Sequence, residues 1–112
     1  MSLSSHVLDA TSGAPAVGLS LQWDRLAEEG WLPVAGAVTD DDGRVADWGG
    51  SAPEPEPGTH RLVFGTGKYF AARRQTTFYP EVMVVFEVTD ADEHYHVPLL
   101  LSPFAYSTYR GS

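Results

Sequence analysis

The chain has 112 residues, of which 43% are hydrophobic, and these values fit one ordinary globular domain over residues 1–112. No apolar stretch approaches the ~18 residues of a membrane-spanning helix. Seven Lys and Arg stand against fifteen Asp and Glu, a net charge of −8, which disfavours nucleic acid and anionic membranes as partners. The absence of cysteine excludes thiolate chemistry, and the absence of a recognisable secretion signal favours the cytoplasm.

Most of the chain has the pattern of short strands separated by turns. In the second of these strands Leu19, Leu21 and Trp23 alternate with polar residues, the pattern of a half-buried strand. The predicted strands are Leu3–Asp9, Gly18–Leu26, Trp31–Thr39, Arg44–Trp48, His60–Gly65, Val82–Val88, Tyr95–Leu101 and Phe104–Tyr109. Their spacing, with Gly, Pro and Asp in the turns, favours a sandwich of antiparallel sheets over a parallel α/β sheet.

Two segments depart from the strand pattern. Lys68–Gln75 has helix-forming composition, with Thr66 available as an N-cap, and predicts one short helix of about two turns. Pro53–Gly58 contains three prolines and predicts a surface loop. The predicted fold class is therefore an all-β sandwich of seven to eight strands with one short helix.

Alternation along the strands sorts the residues that could carry chemistry. On the strand before the last, the predicted core face is Tyr95, Val97, Leu99 and Leu101, and the outer face is His94, His96, Pro98 and Leu100. On the first strand His6 lies on the face opposite to Leu3 and Val7. An outer face that combines histidine with leucine and proline predicts that another subunit covers it and that polar groups line a gap.

The end of the printed sequence follows the last predicted strand without a linker. Tyr109, Arg110, Gly111 and Ser112 supply a hydroxyl, a cation and a flexible glycine directly beside that strand. Alternation assigns Tyr109 and Gly111 to one face and Arg110 to the other. This ending favours a functional site over a frayed tail.

The sequence gives little support to a histidine metal site, a calcium-binding loop or a serine nucleophile. His94 and His96 have the two-residue spacing of metal ligands on a strand, with His60 and His6 as possible further ligands, but no third ligand is fixed. Asp40–Gly43 lacks the alternating acidic residues of a calcium loop. The sequence has no Gly-x-Ser-x-Gly nucleophile motif. No metal and no cofactor are therefore expected.

Several motifs resemble one family over nearly the whole chain, from about Ser5 to Ser112. These motifs are His6–Asp9, Asp42–Arg44, Phe78–Glu81, His94–Pro103 and Tyr106–Ser112. Together they resemble the 5-hydroxyisourate hydrolases, the enzyme relatives of the hormone carrier transthyretin. The ending Tyr-Arg-Gly-Ser resembles that of the enzymes and distinguishes them from transthyretin.

The resemblance implies a transthyretin-like sandwich that assembles as a homotetramer, a dimer of dimers with active sites in a central channel. It implies hydrolysis of 5-hydroxyisourate to 2-oxo-4-hydroxy-4-carboxy-5-ureidoimidazoline in urate degradation. The implied catalytic residues are His6, Arg44, His96 and Ser112. The implied substrate-binding residues are His6, Arg44, Tyr109, Arg110 and Gly111.

Two readings from other classes remain open. A non-enzymatic carrier would bind a small aromatic ligand in the same channel, but a carrier channel favours aliphatic and small residues over imidazoles and a guanidinium. A generic sandwich module for protein contacts would not depend on residues 110–112.

Overall fold

The computed structural model describes residues 2–50 and 54–112, and within them it contains one α-helix and nine strands. The strands are β1 (Ser2–Asp9), β2 (Ala14–Pro15), β3 (Ser20–Ala27), β4 (Gly30–Val38), β5 (Arg44–Val45), β6 (Gly58–Phe64), β7 (Val82–Val88), β8 (His94–Ser102) and β9 (Ala105–Thr108). The helix α1 spans Thr66–Ala72. Seven of these strands have four or more residues, and the fold class predicted from the sequence is confirmed. No helix in the described part of the chain is long and apolar enough to cross a membrane.

The strands form two sheets that enclose the core. The first sheet has the order β2-β1-β8-β9, and β5 pairs with β1 on the same side as β2. The second sheet has the order β4-β3-β6-β7. Strands β1 and β8 run parallel, whereas the other pairs are antiparallel. The parallel pair brings the first strand beside the last long strand.

The predicted faces of β1 and β8 are confirmed by their burial. In β1, residues alternate strictly between half-buried and buried, and His6 and Leu8 lie on the half-buried face. In β8 the predicted core residues Tyr95, Val97, Leu99 and Leu101 are all buried. On the predicted outer face of β8, His94 and Leu100 are exposed, His96 is half-buried and Pro98 is buried.

The helix begins two residues earlier and ends three residues earlier than Lys68–Gln75. Thr66 is not its N-cap, because Gly65 occupies that position and no side chain caps the helix. Instead, the Thr66 hydroxyl donates to the carbonyl of Tyr79 at 2.8 Å. The helix ends before Arg74, whose positive φ of 57° interrupts the helical conformation.

Three further segments can be compared with the prediction. The short strand predicted over Arg44–Trp48 ends at Val45, and a 3₁₀ turn spans Trp48–Gly50. Asp24 lies on the polar face, as its alternation predicts, but it is only 5% exposed because Arg61 covers it and donates to its carboxylate at 2.8 Å. Pro53 lies outside the described residues, whereas residues 54–57 form the predicted loop.

A polar contact ties the helix to the end of β1. The Tyr69 hydroxyl donates to the buried carboxylate of Asp9 at 2.7 Å, and the backbone N–H of Thr11 donates to the other carboxylate oxygen at 2.9 Å. Burial and the neighbouring Asp9 raise the pKa of Tyr69 to about 12. The guanidinium of Arg73 lies 3.7 Å from the centre of the Tyr69 ring. This contact fixes the end of the strand that carries His6.

Candidate active site on the outer face of the first sheet

Strand register brings three of the predicted catalytic side chains to one face. His6 lies opposite Arg44 on β5 and opposite Pro98 on β8. His96 is two residues before Pro98 and therefore lies on the same face, diagonal to His6. The two imidazoles and the guanidinium therefore share one face of the sheet.

A tight turn holds Arg44 in this register. The carboxylate of Asp40 accepts the backbone N–H groups of Asp42 at 2.9 Å and Arg44 at 3.0 Å. These two bonds are the main reason that the pKa of Asp40 lies below its usual value, and the charges of Arg44 and His6 add to the effect. Gly43, with φ of +74°, accepts the N–H of Val7 at 2.8 Å. An added Cβ at Gly43 would lie 2.5 Å from the carbonyl oxygen of Val7, so this position requires glycine.

His96 has the environment of a neutral base. Partial burial is the largest cause that lowers its pKa below the usual 6.5, followed by the positive charge of Arg44 and the neighbouring His94 and His6. Its Nδ1 lies 2.7 Å from the Ser4 hydroxyl. Among the described residues no protein group bonds to its Nε2, which leaves that nitrogen available to a water or a substrate.

The residues after β9 return to the same face. Gly111 forms an isolated antiparallel bridge with His96, and its N–H donates to the His96 carbonyl at 2.8 Å. A Cβ on Gly111 would lie 2.5 Å from Cδ2 of the His96 ring and 3.1 Å from Cγ of Pro98. The tail therefore packs directly on the imidazole. Tyr109 is 59% exposed and, by alternation, lies on this face next to Pro98.

Arg110 points away from the histidines. Its guanidinium lies 4.7 Å from the centre of the Tyr95 ring and donates to Glu93 at 3.3 Å. Tyr95 belongs to the core face of β8, so Arg110 covers the edge of the interior. Ser112 is exposed beyond Gly111. The structure thus gathers His6, Arg44, His96, Tyr109 and Gly111 on one face, but not Arg110.

The histidines do not gather into a metal site in the described part of the chain. His60 is 1% exposed in the core, where its Nδ1 accepts from the Trp23 indole at 3.0 Å and its Nε2 donates to the Glu56 carbonyl at 2.7 Å. Both of its ring nitrogens are therefore used. No group of three or more His, Asp or Glu side chains in residues 2–50 and 54–112 is arranged to hold a metal ion.

Sequence reasoning missed Ser4 and the role of Asp40. Ser4 has the same alternation as His6 and could have been assigned to the outer face, but its approach to His96 depends on the pairing of β1 with β8. Asp40 was considered only as part of a calcium loop. Its structural role, accepting the two N–H groups of the turn, is typical of aspartate before a tight turn.

Comparison with known proteins identifies the class. Residues 3–111 match the HIUase/Transthyretin family. The 5-hydroxyisourate hydrolase of Mus musculus is 46% identical over 113 residues, which cover 98% of this chain and 94% of that protein. The chain therefore belongs to the HIUase/Transthyretin family. It is a hydrolase, as is the mouse relative.

Solved structures of both branches of the family have this fold. The structure of Klebsiella pneumoniae 5-hydroxyisourate hydrolase has a TM-score of 0.86 and 33% identity, covering 99% of this chain and 98% of that one. Sea bream transthyretin in complex with thyroxine has a TM-score of 0.90 and 32% identity, covering 99% and 95%. Backbone shape thus does not separate an enzyme from a carrier, and the side chains of the outer face must do so.

Proposed function

We propose that the protein hydrolyses 5-hydroxyisourate to 2-oxo-4-hydroxy-4-carboxy-5-ureidoimidazoline, a step of urate degradation in the cytoplasm. The observation that carries the proposal is the convergence of His6, Arg44 and His96 on one face, with His96 neutral near pH 7. The mouse relative and the Klebsiella pneumoniae structure, both named 5-hydroxyisourate hydrolase, support the same substrate.

The reaction is the opening of a cyclic amide by water. A histidine takes a proton from water as its oxygen attacks the ring carbonyl carbon, and the carbonyl oxygen becomes an oxyanion. The ring C–N bond then breaks, the nitrogen leaves with the proton that the histidine took from water, and the carbonyl carbon becomes a carboxylic acid that ionises to a carboxylate. His96 suits the role of base because its pKa is lowered and its Nε2 lacks a partner among the described residues. His6 binds the same water or the ring.

Arg44 and the tail complete the proposed site. The planar guanidinium of Arg44 would stabilise the oxyanion or a ring carbonyl, and the turn at Asp40 holds it opposite His6. Tyr109, Gly111 and Ser112 would close and orient the pocket. Arg110 would support that closure indirectly through its contacts with Tyr95 and Glu93.

The proposed assembly is a homotetramer whose second dimer covers the outer face. Leu100 and Tyr109 are exposed there beside the half-buried Leu8. A facing copy would bury these side chains and enclose the histidines in a channel. If the site is shared in this way, activity per chain falls when the protein is diluted below the dissociation constant of the tetramer.

The second candidate is a carrier of a small aromatic ligand. The observation behind it is that sea bream transthyretin, solved in complex with thyroxine, has the same fold. The polarity of the outer face argues against it, because burying two imidazoles and a guanidinium around an apolar ligand has a large desolvation penalty.

The deciding experiment follows the ultraviolet decay of freshly generated 5-hydroxyisourate with and without the protein. Circular dichroism in the same cuvette follows the chirality of the product, because the compound also hydrolyses unaided. We expect faster decay that gives one enantiomer, and a kcat/KM that is about 10²- to 10⁴-fold lower with the His96→Ala variant. Decay at the spontaneous rate with racemic product, from folded wild-type protein, would overturn the proposal and favour the carrier.

A further inference from the structure

A hydroxyl lies between two histidines at the edge of the candidate site. The Ser4 Oγ is 2.7 Å from Nδ1 of His96 and 3.2 Å from Nε2 of His94. The two imidazole rings lie side by side on β8, with centroids 6.3 Å apart and planes inclined by 17°. The Nδ1 of His94 in turn contacts the hydroxyl of Ser2. Ser2, His94, Ser4 and His96 thus form one chain of hydrogen bonds along the outer face.

A serine hydroxyl has a single proton, so its two contacts are linked. If Ser4 accepts the Nδ1–H of His96, its own proton is free to go to Nε2 of His94. In that arrangement Nε2 of His96 carries a lone pair and can act as a base. If Ser4 instead donates to Nδ1 of His96, the ring proton sits on Nε2 and the same nitrogen is a donor. The direction of the Ser4 bond therefore decides whether His96 can accept a proton from water.

We propose that Ser4 is a positioning residue that holds His96 in its Nδ1–H form, with His94 accepting the proton of the Ser4 hydroxyl. This inference rests on the proposed hydrolysis, in which His96 acts through Nε2. Ser4 is suited to the task because register seats it directly opposite His96, and the parallel pair is continuous from Ser2 to Asp9. It acts through His96 and does not itself take part in the reaction.

The charged and titratable groups that face His96 come from three strands. Arg44 on β5, His6 on β1 and His94 on β8 all lower its pKa, after partial burial, whereas a hydrogen bond to the backbone of Ser4 raises it. The Ser4 hydroxyl oxygen, which lies 2.7 Å from Nδ1, accepts more strongly from the protonated ring than from the neutral one, so its removal should lower the pKa of His96 further. The acid limb of the pH–rate profile, which reports protonation of the base, should then move to lower pH even though the rate falls.

The test compares Ser4→Ala with Ser4→Thr and Ser5→Ala. Ser5 is the matched control because its hydroxyl lies one residue further on the buried face and donates to the Val97 carbonyl at 2.8 Å. For Ser4→Ala we expect kcat to fall about 10- to 100-fold with KM unchanged, and the acid limb to move to lower pH. Ser4→Thr, which keeps the hydroxyl, should restore both. Ser5→Ala should change stability but not the pH profile.

A readout independent of activity is the nitrogen NMR spectrum of the imidazole side chains. We expect His96 to be protonated at Nδ1 in the wild type and to become a mixture of forms in Ser4→Ala. If Ser4→Ala does not fold, His94→Phe removes the acceptor of the Ser4 proton and should give a smaller change in the same direction.

The outcomes separate the two proposals. A wild-type pH profile and an unchanged His96 spectrum in Ser4→Ala, alongside inactive His96→Ala, would overturn the role of Ser4 and leave the hydrolase intact. A wild-type protein that does not accelerate hydrolysis would overturn the proposed function, and the NMR spectra would still decide whether Ser4 fixes the His96 ring.

Discussion

Polar side chains differ in their hydrogen bonding between the interior and the outer face of the first sheet. His60 in the core uses both ring nitrogens, and no buried side-chain nitrogen or oxygen in the described residues lacks a partner. Within residues 2–50 and 54–112, the ring of His96 on the outer face bonds through Nδ1 alone. Satisfied polar groups stabilise the fold, whereas a nitrogen left open is available for chemistry. The same residue type thus has a structural role in one region and a proposed catalytic role in the other.

The largest expected effect tests this comparison with one substitution in each region. His96→Ala should lower kcat/KM about 10²- to 10⁴-fold while leaving the free energy of unfolding nearly unchanged, and His6→Ala should fall in the same range. His60→Ala should reduce the free energy of unfolding by about 2–4 kcal/mol, since it opens a cavity and leaves the Trp23 indole unpaired, yet keep kcat in the folded protein. Steady-state kinetics measures kcat/KM, and urea unfolding measures the free energy of unfolding. Near-normal kcat/KM in His96→Ala would contradict the assignment.

The second prediction concerns the charge that acts on His96. A base must be neutral to work, so activity is present above its pKa and is lost as the pH falls through it. The charge of Arg44 lowers the pKa of His96, and Arg44→Gln should therefore move the acid limb of kcat/KM to higher pH. The loss of the oxyanion donor should also reduce kcat about 10²- to 10³-fold.

The control for Arg44→Gln is the loss of an equal charge from the second sheet. Arg25→Gln removes an equal charge from β3, where Arg25 lies 3.6 Å from Glu56, and should leave the profile unchanged. An acid limb that stays fixed or moves to lower pH in Arg44→Gln would show that Arg44 does not act on the base.

A third substitution tests the contact of the tail with the imidazole. The Cβ of Gly111→Ala would overlap the His96 ring, so either the tail or the ring must move. We expect kcat/KM to fall about 10- to 100-fold. The matched control is Gly36→Ala on β4, where the nearest atom to the new Cβ is 3.5 Å away, an ordinary contact. Equal activity in the two variants would mean that the tail position does not affect the site.

The smallest effect belongs to the interior contact between helix and strand. Tyr69→Phe should lower the free energy of unfolding by about 1–2 kcal/mol without changing kcat. Because the pKa of Tyr69 is raised from 10.0 to about 12, its contribution is complete below pH 10 and is lost as the pH rises towards 12. Urea unfolding at pH 8, 10 and 11.5 should therefore show that the free energy of unfolding falls less steeply with pH in the variant than in the wild type. The difference between the two should be ~1–2 kcal/mol over this range. Parallel declines would rule out this linkage.

Alternation was sufficient to predict the faces of the site strands. The period of two assigned His6 in β1 and His96 in β8 to the outer face, because successive side chains must point to opposite sides. Extended beyond β9, the same period separated Arg110 from Gly111. The same rule could not predict that Asp24 is covered by Arg61, since burial on a polar face depends on neighbouring strands.

The sequence could not predict which strands pair with each other. The parallel pairing that brings Ser4 beside His96 and the two-residue strand that brings Arg44 beside His6 depend on packing between distant segments. Local patterns carry no information about such pairs. The helix boundary was missed for a similar reason, because the Thr66 hydroxyl is occupied by the distant carbonyl of Tyr79 instead of capping the helix.

The parallel pairing of β1 and β8 also determines when the site can form during synthesis. Strands β2 and β5 are close to β1 in sequence and can pair with one of its edges early. The other edge pairs with β8, in which His96 lies 92 residues after Ser4. At about 5–20 residues per second, the ribosome needs roughly 5–20 s to deliver that partner. During this interval β1 has an open edge that could pair with another nascent chain. Protection of that edge and completion of the histidine cluster occur together, so we expect no activity before β8 has paired with β1.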